Sequence, residues 1–335
     1  MDTIAKDGVS VTIKAGSRKS RPVGPAATAN AVLDITVLMG GPSSEREVSL
    51  ITGAAIADAL ERNGHRVTRS DISPDDLSAL DRPGMDLVFI ALHGDFGESG
   101  EVQRLCEQRG LRYIGSPPRA SELAIDKAAA KEVFAAAGLK VAPGAVIDKD
   151  QSPQDVAAVL ASFPLPVVLK PIDGGSSVDV IIARTAEDRE AGVMTLLAKY
   201  GRFLLEQFIH GRELTVGILG EQALPIIEIL PDGQFYDYRA KYSDQAQTRY
   251  VFDHDIPEAK VREIQQAAVA AFKSLHCRDI SRVDFILDEQ GTPWVLEINT
   301  IPGFTSHSLV PKAAARIGLS FDQLVQRIAN MAMAR

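Results

Sequence analysis

Arg282-Val283-Asp284-Phe285-Ile286-Leu287-Asp288, then Glu289-Gln290-Gly291, then Thr292-Pro293-Trp294-Val295-Leu296-Glu297-Ile298-Asn299, is the stretch that decides the reading. Both arms are strand-like and the middle is a turn, so an antiparallel hairpin is expected. Burial selects its register, because a slip of one residue would turn charges into the core. The favoured register sets Val283 opposite Ile298, Phe285 opposite Leu296 and Leu287 opposite Trp294, giving one apolar face. On the other face Asp284 meets Glu297 and Arg282 meets Asn299. Like charges opposed across strands destabilise a sheet. The pair therefore calls for a cation, and an all-oxygen set with Asn299 as third ligand suits Mg²⁺. The competing reading is a solvated polar face with Arg282 paired internally. The polar run after Asn299 shifts the balance: Gly303 permits close backbone approach, and Ser308 precedes a helix whose N–H groups suit an anion.

Upstream, residues 167–170 read as a strand ending in Lys170, followed by Gly174-Gly175-Ser176-Ser177 and a strand over 178–183. A Gly/Ser turn beside a lysine suits a phosphate, although the Walker order is absent. Residues 35–39 and 87–92 read as buried strands ending at Gly40-Gly41 and His93-Gly94. Ligands bind at the carboxyl ends of such strands. Ser44 and Glu47 fit a capping box, which leaves Glu45 exposed in the first helical turn to meet an ammonium group. Residues 203–209 read as a strand, 214–219 and 224–229 as a hairpin, and 49–63, 127–137 and 258–275 as helices. Strand–helix alternation early and hairpins later predict a mixed α/β protein of several domains, without repeats.

The chain has 335 residues, 45% hydrophobic and 24% charged, an ordinary globular composition. A net charge of -8 argues against nucleic acid as the main partner. No apolar run reaches membrane-spanning length, and the start lacks a secretory h-region. Cys106 and Cys277 stand far apart and read as buried, reduced thiols of a cytoplasmic protein. Residues 1–33 carry Lys6, Lys14, Arg18, Lys19 and Arg21 against Asp2 and Asp7, which reads as a basic, disordered extension.

Taken in order, these blocks resemble the D-alanine–D-alanine ligases of the ATP-grasp superfamily. The resemblance runs from residue 34 to the end of the chain. It rests on Gly-Gly-Pro-Ser-Ser-Glu-Arg-Glu-Val-Ser-Leu at 40–50, His93-Gly94 with Gly97-Glu98, Asp126-Lys127, Lys170-Pro171 and Ser176-Ser177. Glu206-Gln207-Phe208-Ile209, Arg212-Glu213, Lys241-Tyr242, Arg282-Val283-Asp284 and the run 296–311 complete it. The resemblance implies an α/β (mixed α+β) three-domain ATP-grasp fold: a Rossmann-like substrate domain at 34–125, a central subdomain at 126–213 and a catalytic domain at 214–335. It implies that Lys127 and Lys170 contact the ATP phosphates and that Ser176, Ser177 and Lys241 belong to the ATP site. Glu206 and the backbone of Gln207, Phe208 and Ile209 would meet adenine, and Glu213 the ribose. Asp284, Glu297 and Asn299 would hold two Mg²⁺, with Mn²⁺ as a substitute and K⁺ as an activator. Glu45, His93, Arg282, Gly303, Ser308 and Leu309 would surround two D-alanines, with Glu45, Ser176 and Tyr242 forming a triad that closes loops over them.

The implied reaction activates one D-alanine as an acyl phosphate, which the amine of the second attacks, for peptidoglycan precursors. The family commonly forms cytoplasmic homodimers. Four positions depart from its pattern: Asp179 for Gly, Ser99 for Asp, Arg104 for Gly and Arg239 for Glu. Asp179 is expected to add negative charge beside the phosphate loop, and Asp179 and Arg239 together to weaken ATP affinity or alter a loop. Two other readings stand beside this one. A D-alanyl-D-lactate ligase is disfavoured by Lys241-Tyr242, and a silent nucleotide-binding homologue by the intact Arg282, Asp284, Glu297 and Asn299.

Overall fold

A computed structural model describes residues 31–175, 177–230, 248–305 and 308–335. Residues 1–30, Ser176, Lys241, Tyr242 and Arg239 lie outside the described residues, and with them the expectations placed on the basic extension, the triad and the substrate loop.

The first sheet is parallel, in the order β2(Arg66–Asp71), β1(Asp34–Met39), β3(Leu87–Ile90). Its central strand is buried and apolar, as a parallel strand covered on both faces must be. The helix α1(Arg46–Arg62) follows β1 and packs on this sheet. Here the capping box is not formed. Ser43, not Ser44, organises the helix start: its hydroxyl accepts from Glu45 N at 3.1 Å and donates to the His93 carbonyl at 2.7 Å. A tertiary partner 50 residues away thus outweighs the local signature. The helix begins at Arg46, so Glu45 is its half-buried N-cap residue rather than an exposed first-turn residue.

Short helices α2(Asp95–Glu98) and α3(Glu101–Gln108) follow β3. Then come α4(Pro118–Ile125) and α5(Lys127–Ala136), the latter capped by Asp126, whose side chain accepts from Ala129 N. The second sheet is antiparallel, in the order β4(Gly144–Asp148), β7(Arg202–Gln207), β5(Val167–Lys170), β6(Ile181–Ala183). Helices α6(Pro153–Ser162) and α7(Ala186–Tyr200) belong with it and share its core around Phe203, Leu205 and Leu169. Strand β6 starts later than the sequence suggests, because Ser177 and Asp179 sit at φ 57° and 56° and turn the chain.

The third sheet follows the order β11(Arg249–Val251), β10(Ile227–Leu230), β8(Gly211–Leu219), β12(Ile280–Asp288), β13(Pro293–Asn299), with β9(Gln222–Ala223) paired on β8. The expected hairpin over 214–229 is present, but its second arm splits in two around Pro225, which has no N–H for the ladder. Helix α8(Glu258–Ser274) packs on one face against Val283, Phe285 and Leu287. Helices α9(Leu309–Arg316) and α10(Phe321–Met333) close the chain. The apolar stripe of α10 at Leu324, Val325, Ile328, Ala329 and Ala332 joins the core of the first sheet, alongside Val37, Phe89 and Ala57. Polar contacts fix that junction: Arg62 donates to Asp322, Asn63 to the Asp322 carbonyl at 2.9 Å, and His65 lies 2.8 Å from Gln326.

The β12–β13 hairpin holds its expected register in one half only. Arg282 pairs with Asn299, Val283 with Ile298 and Asp284 with Glu297. Beyond Asp284 the register shifts, and Phe285 pairs with Val295, Ile286 with Trp294 and Leu287 with Pro293. A bulge therefore exchanges the faces of β13. Val295, 1% exposed, takes the core place expected of Leu296, while Leu296 turns to the polar face with Ile286.

Candidate active site

A cavity of about 880 Å³ lies where the second and third sheets face each other. It gathers Lys127, Lys170, Ser177, Glu206, Gln207, Phe208, Ile209, Glu213, Arg282, Asp284, Glu297 and Leu309 of the residues singled out in the sequence. Each arrives for a local reason. Lys170 ends β5 and Glu206 and Gln207 end β7, so the strand ends deliver them side by side, with Phe208 and Ile209 just beyond. Glu213 lies on β8 opposite both Ile286 and Ile229. Leu296 and Ile286 supply apolar wall, as do Val168, Leu230 and Val180. An apolar slot with polar groups at one end suits a flat base carrying a charged tail.

Lys127 is the first residue of α5 and donates to the Gly174 carbonyl at 2.5 Å, so its ammonium sits at the Gly-rich turn. Burial lowers its pKa, while Glu297, at 3.8 Å, opposes that. Gly174 has φ 104°, a conformation that favours glycine. A Cβ on Gly175 or on Gly94 would lie 3.6 Å from Glu45 Oε2, so Glu45 stands where the turn approaches the first sheet's loops.

Asp284 and Glu297 face each other in register on the cavity side. Asp284 accepts from Thr215 Oγ1 at 2.6 Å and from Arg282 Nη2 at 2.8 Å and Nε at 2.9 Å. The internal Arg282 ion pair of the competing reading is thus present, and Lys127 offsets Glu297. Among the described residues no three His, Cys, Asp or Glu side chains group as metal ligands. Two carboxylates and the Asn299 amide nevertheless fit a Mg²⁺ that takes its remaining oxygens from phosphates and water. Asn299 Oδ1 accepts from Ile301 N at 2.8 Å, which fixes its amide.

His93 is buried, 3.2 Å from Thr52 Oγ1 and 3.6 Å from Glu98 Oε1. Burial raises the Glu98 pKa, against the pull of His93. Ser308 is the N-cap residue of α9, and its hydroxyl accepts from Thr305 N at 3.0 Å. A Cβ on Gly303 would lie 3.3 Å from that hydroxyl, so the glycine lets the segment close on Ser308. Glu45, His93, Asn299, Gly303 and Ser308 are not part of the cavity wall.

Sequence reading missed Lys131, whose ammonium pairs with Glu206. Its spacing of four from Lys127 was the available signal, since i and i+4 share a helix face. Leu296 was assigned to the core. The departures lie mostly apart from the site. Arg104 pairs with Glu122 on the surface, and Ser99 closes α2. Asp179 does not add free charge at the turn: Lys199 and the Tyr200 hydroxyl, both on α7, bind its carboxylate and hold it below the usual carboxylate range.

The family described as D-ala D-ala ligase C-terminus matches residues 133–330. The D-alanine–D-alanine ligase of Citrifermentans bemidjiense is 45% identical over 298 residues, 89% of this chain and 95% of its own. That of Syntrophotalea carbinolica is 44% identical over 294 residues, 88% and 94%. The crystal structure of the Bacillus anthracis D-alanine–D-alanine ligase has a TM-score of 0.80 at 31% identity, covering 90% of this chain and 98% of that one. The VanG D-Ala:D-Ser ligase of Enterococcus faecalis also has 0.80, at 26% identity, over 90% and 99%. Three sheets with a cavity between the second and third, in the arrangement of the solved ligases, define an ATP-grasp ligase. Within that class the chain belongs to the D-alanine–D-alanine ligase family.

Proposed function

We propose that the protein joins two D-alanine molecules at the cost of ATP, forming D-alanyl-D-alanine, ADP and phosphate for peptidoglycan precursors. The observation that carries this reading is the cavity itself, which sets Lys127, Lys170 and Arg282 around the paired carboxylates Asp284 and Glu297. The Bacillus anthracis ligase is also known complexed with ATP, with a TM-score of 0.79 to this chain.

Glu206 and the backbone of Gln207, Phe208 and Ile209 would take the adenine between Ile286 and Leu296, and Glu213 the ribose. Lys127, Lys170 and the turn carrying Ser177 orient the phosphates, a step in which positioning and charge neutralisation dominate. Asp284, Glu297 and Asn299 would hold two Mg²⁺, which would supply positive charge at the phosphates, with Mn²⁺ as a substitute and K⁺ as an activator on family grounds. The carboxylate of the first D-alanine attacks the γ-phosphorus, and ADP leaves. The amine of the second attacks the acyl carbon, phosphate leaves, and the amine loses its proton. Arg282 and the Gly303 N–H face the oxygen that gathers charge in that step, worth roughly 3–4 kcal/mol per donor. Glu45 and His93 hold the first D-alanine, and Ser308 and Leu309 the carboxylate of the second. Ser176, Lys241 and Tyr242 complete the site in the family pattern. The described residues include no helix long and apolar enough to cross a membrane. A cytoplasmic homodimer, and the domain limits 34–125, 126–213 and 214–335, belong to the same reading on family grounds.

The test is phosphate release from Mg-ATP across D-alanine, L-alanine, D-serine and D-lactate, with product identification. D-alanine alone should give rapid release and the dipeptide. Release that needs D-lactate or D-serine would reassign the second substrate, and none with any amino acid would overturn the reading.

A further inference from the structure

Two lysines meet one buried carboxylate at the base end of the cavity. Glu206 is 2% exposed, and Lys170 Nζ, from β5, lies 2.6 Å from its Oε2. Lys131, from α5, pairs with its Oε1. Lys170 and Glu206 line the cavity, whereas Lys131, 7% exposed, does not. Lys131 therefore stands behind the carboxylate, and Glu206 is its only ionic partner among the described residues. A single cation would neutralise Glu206. The second adds a buried positive charge, which is unfavourable by itself. Burial accordingly pushes the Lys131 ammonium down to about 8, with Lys170 adding to that and Glu206 opposing it.

We propose that Lys131 is a positioning residue that keeps Glu206 an ionised, fixed acceptor, and so makes the base slot select a purine with an exocyclic 6-amino group over a 6-oxo purine. The proposal rests on reading this cavity as the nucleotide site.

An ionised carboxylate only accepts hydrogen bonds, whereas a protonated one also donates. A 6-amino purine offers Glu206 an N–H. A 6-oxo purine offers a carbonyl oxygen, and two acceptors facing each other in a buried slot repel. The discrimination holds only while Glu206 stays charged and aimed into the slot. In the ligase reading Lys170 also serves the phosphates, so it would share its charge between them and Glu206. A buried carboxylate left without a cation takes up a proton. Lys131 is anchored within α5, one turn beyond Lys127, and its ionic partner among the described residues is the Glu206 carboxylate. It holds the charge on Glu206 when Lys170 is engaged elsewhere.

The experiment compares ATP with ITP as phosphoryl donor, both with D-alanine, in wild type, Lys131→Met, Lys131→Arg, Glu206→Gln and the double variant Lys131→Met/Glu206→Gln. In Lys131→Met, KM for ATP should rise about tenfold or more with kcat at saturation within about threefold, the signature of lost uniform binding. The ATP-to-ITP ratio of kcat/KM should fall by at least about tenfold, and Lys131→Arg should restore it. If Lys131→Met does not fold, the double variant, which removes both charges, carries the test. It should match Glu206→Gln in base ratio, because Lys131 acts only through that carboxylate. A ratio in folded Lys131→Met within about twofold of wild type overturns the proposal, as does a double variant less selective than Glu206→Gln. Wild type that releases no phosphate with D-alanine and ATP instead fails the ligase reading itself, so the two failures are separable.

Discussion

Truncation of Leu296 separates the bulged hairpin from the regular one. In the bulged register Leu296 lines the cavity with Ile286, and Val295 fills the core beside Phe285. Leu296→Ala deletes three carbons, an upper bound of about 2.4 kcal/mol at about 0.8 kcal/mol per buried group. Leu296 is half-buried without ligand, so most of that loss falls on the complex. About 1–2 kcal/mol of lost contact raises KM for ATP roughly 5- to 30-fold, with kcat at saturation little changed. Stability should fall by less than about 1 kcal/mol, as expected away from the core. Val295→Ala does the reverse: two buried carbons and a residual cavity remove about 1.5–2.5 kcal/mol of stability, with KM for ATP within about twofold. Urea unfolding and ATP titration of phosphate release measure both. A Leu296→Ala protein destabilised more than Val295→Ala, with KM unchanged, would refute the bulge and restore the regular register.

Asp179→Gly should leave KM for ATP within about threefold, because the carboxylate is bound by Lys199 and Tyr200 and exposed charges are screened; a larger drop in KM would mean that the charge does reach the phosphates. The folded-state pKa of Glu98 is raised by burial, so its contribution is fully present below its unfolded pKa and is lost as pH rises through the folded value. The Tm of Glu98→Gln relative to wild type should therefore increase from about pH 5 to about pH 8 in scanning calorimetry, and a flat difference would contradict it. Burial pushes both Cys106 and Cys277 up to about 12, so a thiol reagent at neutral pH should label neither in the native protein and both in guanidinium. Chelation should abolish phosphate release and Mg²⁺ restore it, with Glu297→Gln raising the half-saturating Mg²⁺ about tenfold or more.

The sequence pattern made the functional half of the hairpin legible because charge and burial agree there. Only one register keeps Asp284, Glu297 and Arg282 out of the core. Past Asp284 every residue of β13 from Val295 back to Pro293 is apolar, so either face could be buried and alternation carried no information. The capping signature misled for a related reason. Only Ser44 has a glutamate three residues on, yet Ser43 was selected by the His93 carbonyl, which no local pattern contains. Asp179 looked like added charge because its partners, Lys199 and Tyr200, come from the far end of α7. Lys131 went unremarked because a lysine on a helix is ordinarily solvated, and its burial depends on where Glu206 arrives.

The docking of α10 on the first sheet has a consequence for how the chain is made. Leu324, Val325 and Ile328 complete the core around Val37 and Phe89, yet they are translated on the order of 230 residues after β3. At about 5–20 residues per second the ribosome takes roughly ten to fifty seconds to supply them. Through that interval β1, β2 and β3 can pair, but one side of their sheet lacks its cover. The first sheet therefore becomes a finished structure only once α10 has been made.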